Sequence, residues 1–96
     1  MKNYVDPHFQ EVLDSVPKDI KREVNLSFGL SSRIDSLLRE KGWTKTDLAQ
    51  KTGKKVSEVS KWLRGTHNLN LHTIALIETA LDAELIVVAE SPIIQK

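Results

Sequence analysis

Cysteine is absent from the 96 residues. That excludes a disulfide or a thiolate-bound metal, and it fits a reducing, cytoplasmic setting. Aromatic residues make up only 5% of the chain, so the expected core is aliphatic and modest. At this size, association with a second copy or another protein is an extra source of stability. No apolar run approaches the ~18 residues a membrane-spanning helix needs, and the N-terminus lacks a basic-then-apolar signal pattern. Histidine occurs at His8, His67 and His72, and no pair has the helical spacing of metal ligands. Gly-rich phosphate loops and nucleophile elbows are missing, and Ser57 and Ser60 have no helical histidine neighbour to activate them. Neither an enzyme nor a cofactor or metal is expected. There are no internal repeats and no low-complexity tract.

Net charge is only +1, which argues little for a polyanionic partner. Its distribution argues more. Residues 41–65 hold Lys41, Lys45, Lys51, Lys54, Lys55, Lys61 and Arg64 against Asp47 and Glu58, a local charge of +5, while the remainder carries −4. By itself this could be a solvated surface, but it coincides with a structural motif.

That motif is Thr44 to Gly65, TKTDLAQKTGKKVSEVSKWLRG. Thr44 can cap a first helix, with Asp47 in the capping-box position, and Leu48 and Ala49 give it an apolar stripe. Gly53 falls where a sharp turn needs a left-handed residue. A second helix is expected from about Lys55 to Arg64, closed by Gly65. On a wheel of about 100° per residue, Val56, Val59, Trp62 and Leu63 share one side. Ser57, Lys61 and Arg64 share the other, with Ser60 at the border. One face packs and the other offers short polar and cationic groups, as a helix entering the DNA major groove must.

Here the chain resembles the phage-repressor/Cro type of helix-turn-helix, the Xre family. The matching elements are Asp47-Leu48-Ala49, Gly53, Val59-Ser60 and Gly65 without insertion, then Asn70-Leu71 opening a helix that ends in Ala80-Leu81. The resemblance covers residues 33–82. One departure stands out: Lys55 occupies the recognition-helix N-cap, where the family usually has Ser or Thr. The resemblance implies Ser57, Lys61 and Arg64 at base edges, with Val56 touching a thymine methyl unless it is buried. Lys45, Lys54 and Lys55 would hold phosphates, as would Ser60 and the loop residues Thr66, His67 and Asn68. A solvated surface is the alternative for each lysine and for the loop.

The flanks are less specific. Asp6-Pro7 is a good helix start, and Phe9, Val12, Leu13 and Val16 recur at helical spacing. This strip either folds back on its own domain or meets a partner protein. Pro17 breaks that helix and opens another, expected to run to Lys41 and end at Gly42. Its stripe is Ile20, Val24, Ser27, Ser31, Ile34 and Leu38, widened by Phe28, Leu30 and Leu37. Gly29 costs roughly 1 kcal/mol relative to alanine, which leaves a bend there open. Trp43 is expected to plug the core beside Trp62. Asn70 can cap a helix over Leu71 to Leu81 with Leu71, Ile74, Ile77 and Leu81 inward. Leu85, Ile86, Val87 and Val88 form a β-prone run, which needs a pairing partner: the same strand of a second subunit, a strand of another protein, or none if it extends the helix.

The expected fold is an all-α, lambda-repressor-like helix-turn-helix bundle. It comprises an N-terminal helical extension (1–32), the DNA-binding domain (33–82), and a tail (83–96) with a short C-terminal β-strand used in dimerisation. The expected partners are double-stranded DNA and a second copy, without a membrane. The layout, and the stretch from Ser60-Lys61-Trp62-Leu63 to Thr66-His67-Asn68, also resemble HigA-type antitoxins. That resemblance implies a repressor that neutralises a small toxin nuclease and controls the shared operon. A stand-alone regulator without a toxin, and an interaction adaptor that no longer binds DNA, are the competing readings.

Overall fold

A computed structural model describes residues 15–66 and 68–89. The expected strip Phe9, Val12 and Leu13, and His67, lie outside the described residues. Four helices occur among those described: α1 (Lys18–Lys41), α2 (Lys45–Thr52), α3 (Val56–Arg64) and α4 (Leu71–Leu81). α2 and α3 make the most extensive pair, with α1 packed on α3 and α4 on α2.

Local chemistry accounts for most of the boundaries. Pro17 sits at the N-cap of α1, and its fixed φ suits a helix start. Val16, just before it, is a half-buried bend. The Thr44 side chain accepts from Asp47 N–H at 3.2 Å while the Asp47 carboxylate accepts from Thr44 N–H at 2.8 Å. This reciprocal pair satisfies two otherwise orphaned donors. Asn70 caps α4 by accepting from Thr73 N–H at 2.8 Å. Gly53 adopts φ +74 at the end of α2, the left-handed conformation the turn between α2 and α3 requires. Gly29 leaves α1 unbroken.

The core is aliphatic apart from one tryptophan. Ile34, Leu48, Val59, Ile77 and Leu81 are fully buried with Trp62, joined by Leu37, Leu38, Ala49 and Ile74. All the buried positions of α1, namely Ser31, Ile34, Leu37 and Leu38, fall in its C-terminal half. Ile20 and Val24 continue the same stripe but stand 43% and 45% exposed. The N-terminal half of this ~36 Å helix is therefore less covered than the other, although Glu23, Leu26 and Ser27 line a pocket with Asn68, Leu69, Ile74 and Ile86 and Phe28 lies against Gly65.

One expectation is not shown in the single chain and one needs correcting. Leu85, Ile86, Val87 and Val88 form no strand. The N–H groups of Leu85 and Ile86 both donate to Glu78 Oε2, at 2.7 and 3.2 Å. Successive amides of a strand point to opposite sides, so convergence on one oxygen requires a bend. Leu85 then turns onto the core while Val87 and Val88 stay exposed. The correction is Leu71, which is 74% exposed. It is the first residue of α4, ahead of the turns that reach the core.

Candidate nucleic-acid interface

α3 divides cleanly. Val59 and Trp62 are buried, while Ser57, Lys61 and Arg64 are exposed and Ser60 is half-buried between the two faces. Val56 is 41% exposed, which places it at the rim of the polar face rather than in the core. No side chain caps the N-terminus of α3: Lys55 is extended there (φ −80, ψ 151) and makes no capping bond. The first orphaned N–H groups of α3 and the Lys55 ammonium are both left available to an anion.

The flanking cations are also open. Lys45, at the start of α2, and Lys54 and Lys55, in the turn, are exposed, as are Thr66 and Asn68 in the loop after α3. Among the described residues the single ion pair is Arg39 Nε to Asp35 Oδ2 at 3.0 Å, within α1. The ammonium of Lys61 and the guanidinium of Arg64 thus have no carboxylate among those residues to neutralise them. A cationic surface left unpaired over a helix-turn-helix is the electrostatic footprint of a DNA binder.

Lys41 and Lys51 are placed differently. Their Nζ atoms lie 5.4 and 5.6 Å from the Trp43 ring centroid. Trp43 is half-buried against the core and faces two ammonium groups, rather than plugging the interior. Such contacts are worth about 0.5–1 kcal/mol each at exposed sites. The adjacency of Lys41 is visible in the sequence, but that of Lys51 depends on how α2 packs.

The family model for the helix-turn-helix matches residues 34–87, which is 54 of the 96 residues. The chain belongs to the helix-turn-helix family. It is a DNA-binding regulator of the Xre, lambda-repressor-like type, and the matched span contains every element of the cationic face. No curated protein and no solved structure matches the chain. Among the described residues of this helix-turn-helix protein no helix is long and apolar enough to cross a membrane, and no cluster of three or more His, Asp or Glu could hold a metal.

Two residues that bear on α3 escape sequence reasoning. Spacing puts Ser31 on the apolar stripe of α1 but does not reveal its partner: Ser31 Oγ donates to the Trp62 carbonyl at 2.6 Å. Phe28 does more than widen that stripe. Its ring lies against Gly65, where an added Cβ would come 2.7 Å from Phe28 Cε1. No local pattern announces either contact, because each joins residues more than thirty positions apart.

Proposed function

We propose that the protein is a sequence-specific transcriptional repressor that binds a two-fold DNA site as a homodimer in the cytoplasm. We further propose that it is the antitoxin of a type II toxin–antitoxin pair. The observation that carries the DNA reading is the division of α3: Val59 and Trp62 buried, Ser57, Lys61 and Arg64 outward and, among the described residues, unpaired. Lys61 and Arg64 are suited to guanine O6 and N7, and Ser57 tolerates several bases. Lys45, Lys54 and Lys55 hold phosphates on either side, with Thr66 and Asn68 following the backbone beyond α3. Half-sites then lie about one helical turn, ~34 Å, apart.

The dimer is supported by the adjacent Val87 and Val88, which are 77% and 84% exposed; an exposed apolar pair in the tail favours a covering surface. A protein partner is supported by the N-terminal half of α1, where Ile20, Val24 and Leu26 are all more than 40% exposed. A stand-alone regulator shares the whole DNA face and differs only in lacking that partner.

The decisive assay is gel-shift binding to the DNA upstream of the protein's own gene. The Lys61→Glu/Arg64→Glu double variant should bind at least ~30-fold more weakly, since removing a side chain that reads a base costs about 1–3 kcal/mol. Unchanged affinity would leave the adaptor reading standing. Co-purification with the product of an adjacent gene that is toxic when expressed alone separates antitoxin from stand-alone regulator.

A further inference from the structure

The C-terminal end of α3 is built unlike the ends of the other three described helices. α1 closes on Gly42 N–H to Arg39 O at 3.2 Å and Trp43 N–H to Leu38 O at 2.9 Å. α4 closes on Asp82 N–H to Thr79 O at 3.4 Å and Ala83 N–H to Glu78 O at 3.2 Å. α2 closes on Lys54 N–H to Ala49 O at 3.0 Å. These are main-chain closures of the Schellman type. At α3, among the described residues, neither Gly65 nor Thr66 makes such a bond, although Gly65 adopts φ +82.

Tertiary contacts from α1 do the closing instead. The Trp62 carbonyl, which a Gly65 N–H would otherwise satisfy, accepts from the buried Ser31 hydroxyl. Gly65 itself is buried beneath the Phe28 ring. Phe28 and Ser31 are three residues apart and so share a face of α1. Both precede the family match, which begins at residue 34. The last turn of the recognition helix is therefore held by a segment outside the matched domain.

We propose that Phe28 and Ser31 are positioning residues for DNA recognition, fixing the pitch of α3 by holding Trp62 and Gly65. The inference rests on the DNA-binding reading above. Lys61 and Arg64 lie in the same last turn as Trp62, so any shift of that turn moves both. Hydrogen bonds to base edges weaken steeply once distance and angle depart from ideal. Attraction to phosphates decays over a Debye length of about 8–10 Å. A loosened α3 thus loses discrimination between sequences well before it loses non-specific affinity.

The test compares the parent with Ser31→Ala, Phe28→Ala and Ser31→Thr, which keeps the hydroxyl. Each is titrated against a duplex that the parent selects from a randomised pool and against a random-sequence duplex, well below its melting temperature. Ser31→Ala and Phe28→Ala should each lower the selected-to-random affinity ratio about fivefold or more, with random-duplex affinity within twofold. Ser31→Thr should retain at least half of the parent ratio. Without DNA, Ser31→Ala should speed amide exchange at Leu63 and Arg64. An unchanged ratio in folded variants, a parallel fall of both affinities, or unchanged exchange would each overturn the proposal. If those results accompany lost binding in Lys61→Glu/Arg64→Glu, only the positioning role falls. A parent that selects no duplex, and binds no better than that charge-reversed variant, overturns the DNA reading and the positioning role together.

Discussion

Lys55→Ser should make the protein more stable and a weaker DNA binder at once. Among the described helices α2, α3 and α4, α3 alone lacks a side-chain acceptor at its N-cap: Thr44 and Asn70 cap α2 and α4, and Lys55 does not cap α3. Its backbone already has the extended geometry of a cap, and Lys55 O accepts from Glu58 N–H at 3.0 Å and Val59 N–H at 3.1 Å. A hydroxyl there can accept from Glu58 N–H, and the Glu58 carboxylate, three residues on, can reach back to the N-cap amide. The result is the same reciprocal box that Thr44 and Asp47 form. A good cap is worth ~1 kcal/mol, which for a domain of this size raises Tm by about 4–8 °C.

The same substitution removes a cation from the exposed rim of the interface. If Lys55 neutralises one phosphate per half-site, the slope of log K against log salt should flatten by about 0.9 per half-site. Thermal melting and a salt series of gel shifts on one duplex read the two effects separately. A fall in Tm would refute the capping argument, because nothing else among the described residues depends on the Lys55 ammonium. An unchanged salt slope would place Lys55 away from the phosphates.

A matched pair of glycine substitutions isolates backbone conformation, since neither Gly29 nor Gly53 has any atom within 4 Å of an added Cβ. Gly29→Ala, inside α1, should stabilise by up to ~1 kcal/mol in chemical denaturation, whereas Gly53→Ala, at φ +74, should destabilise by about 1–2 kcal/mol. Trp62 is 1% exposed and its indole Nε1 has no hydrogen-bond partner among the described residues. Trp62→Phe removes that unsatisfied donor, worth about 1–3 kcal/mol, and should stay within ~1 kcal/mol of the parent, while Trp62→Ala should lose about 3–5 kcal/mol. Glu78→Ala strips the shared acceptor from Leu85 and Ile86 and should cost about 1.5–3 kcal/mol, with faster amide exchange confined to those two residues and their neighbours.

What is legible in the sequence is what short-range chemistry decides. The Thr44–Asp47 box, the Asn70 cap and the left-handed glycines at 42, 53 and 65 each depend on residues within one turn. Long helical periodicity locates α1 and its core face, though not that Ile20 and Val24 stay exposed. The tail misleads because Leu85 to Val88 has high intrinsic β-propensity, and propensity yields to context. Here the context is a carboxylate about two turns back on α4, which draws the Leu85 and Ile86 amides to one oxygen and bends the single chain there. The Lys51 contact to Trp43 and the α1 clamp on α3 are hidden for a related reason: each is made by packing between elements, and no spacing rule encodes it.

The two ends of α3 together explain why the helix-turn-helix needs α1. A nine-residue helix is too short to hold itself in water, and this one lacks both the side-chain cap at its start and the main-chain closure at its end. Its persistence therefore rests on the buried pair Val59 and Trp62 and on the Ser31 and Phe28 contacts, all of them on the side away from Lys61 and Arg64. On the proposed DNA-binding role of Lys61 and Arg64, stability and recognition fall on different residues of one helix. Alanine at Ser57, Lys61 or Arg64 should shift folding free energy by no more than ~0.5 kcal/mol, as exposed positions without special partners do, while changing DNA affinity. Alanine at Val59 should unfold much of the population and change affinity only through that loss. Were Lys61→Ala to lower Tm as much as Val59→Ala, the outward face would be part of the packing, and its side chains could not also be free to read DNA.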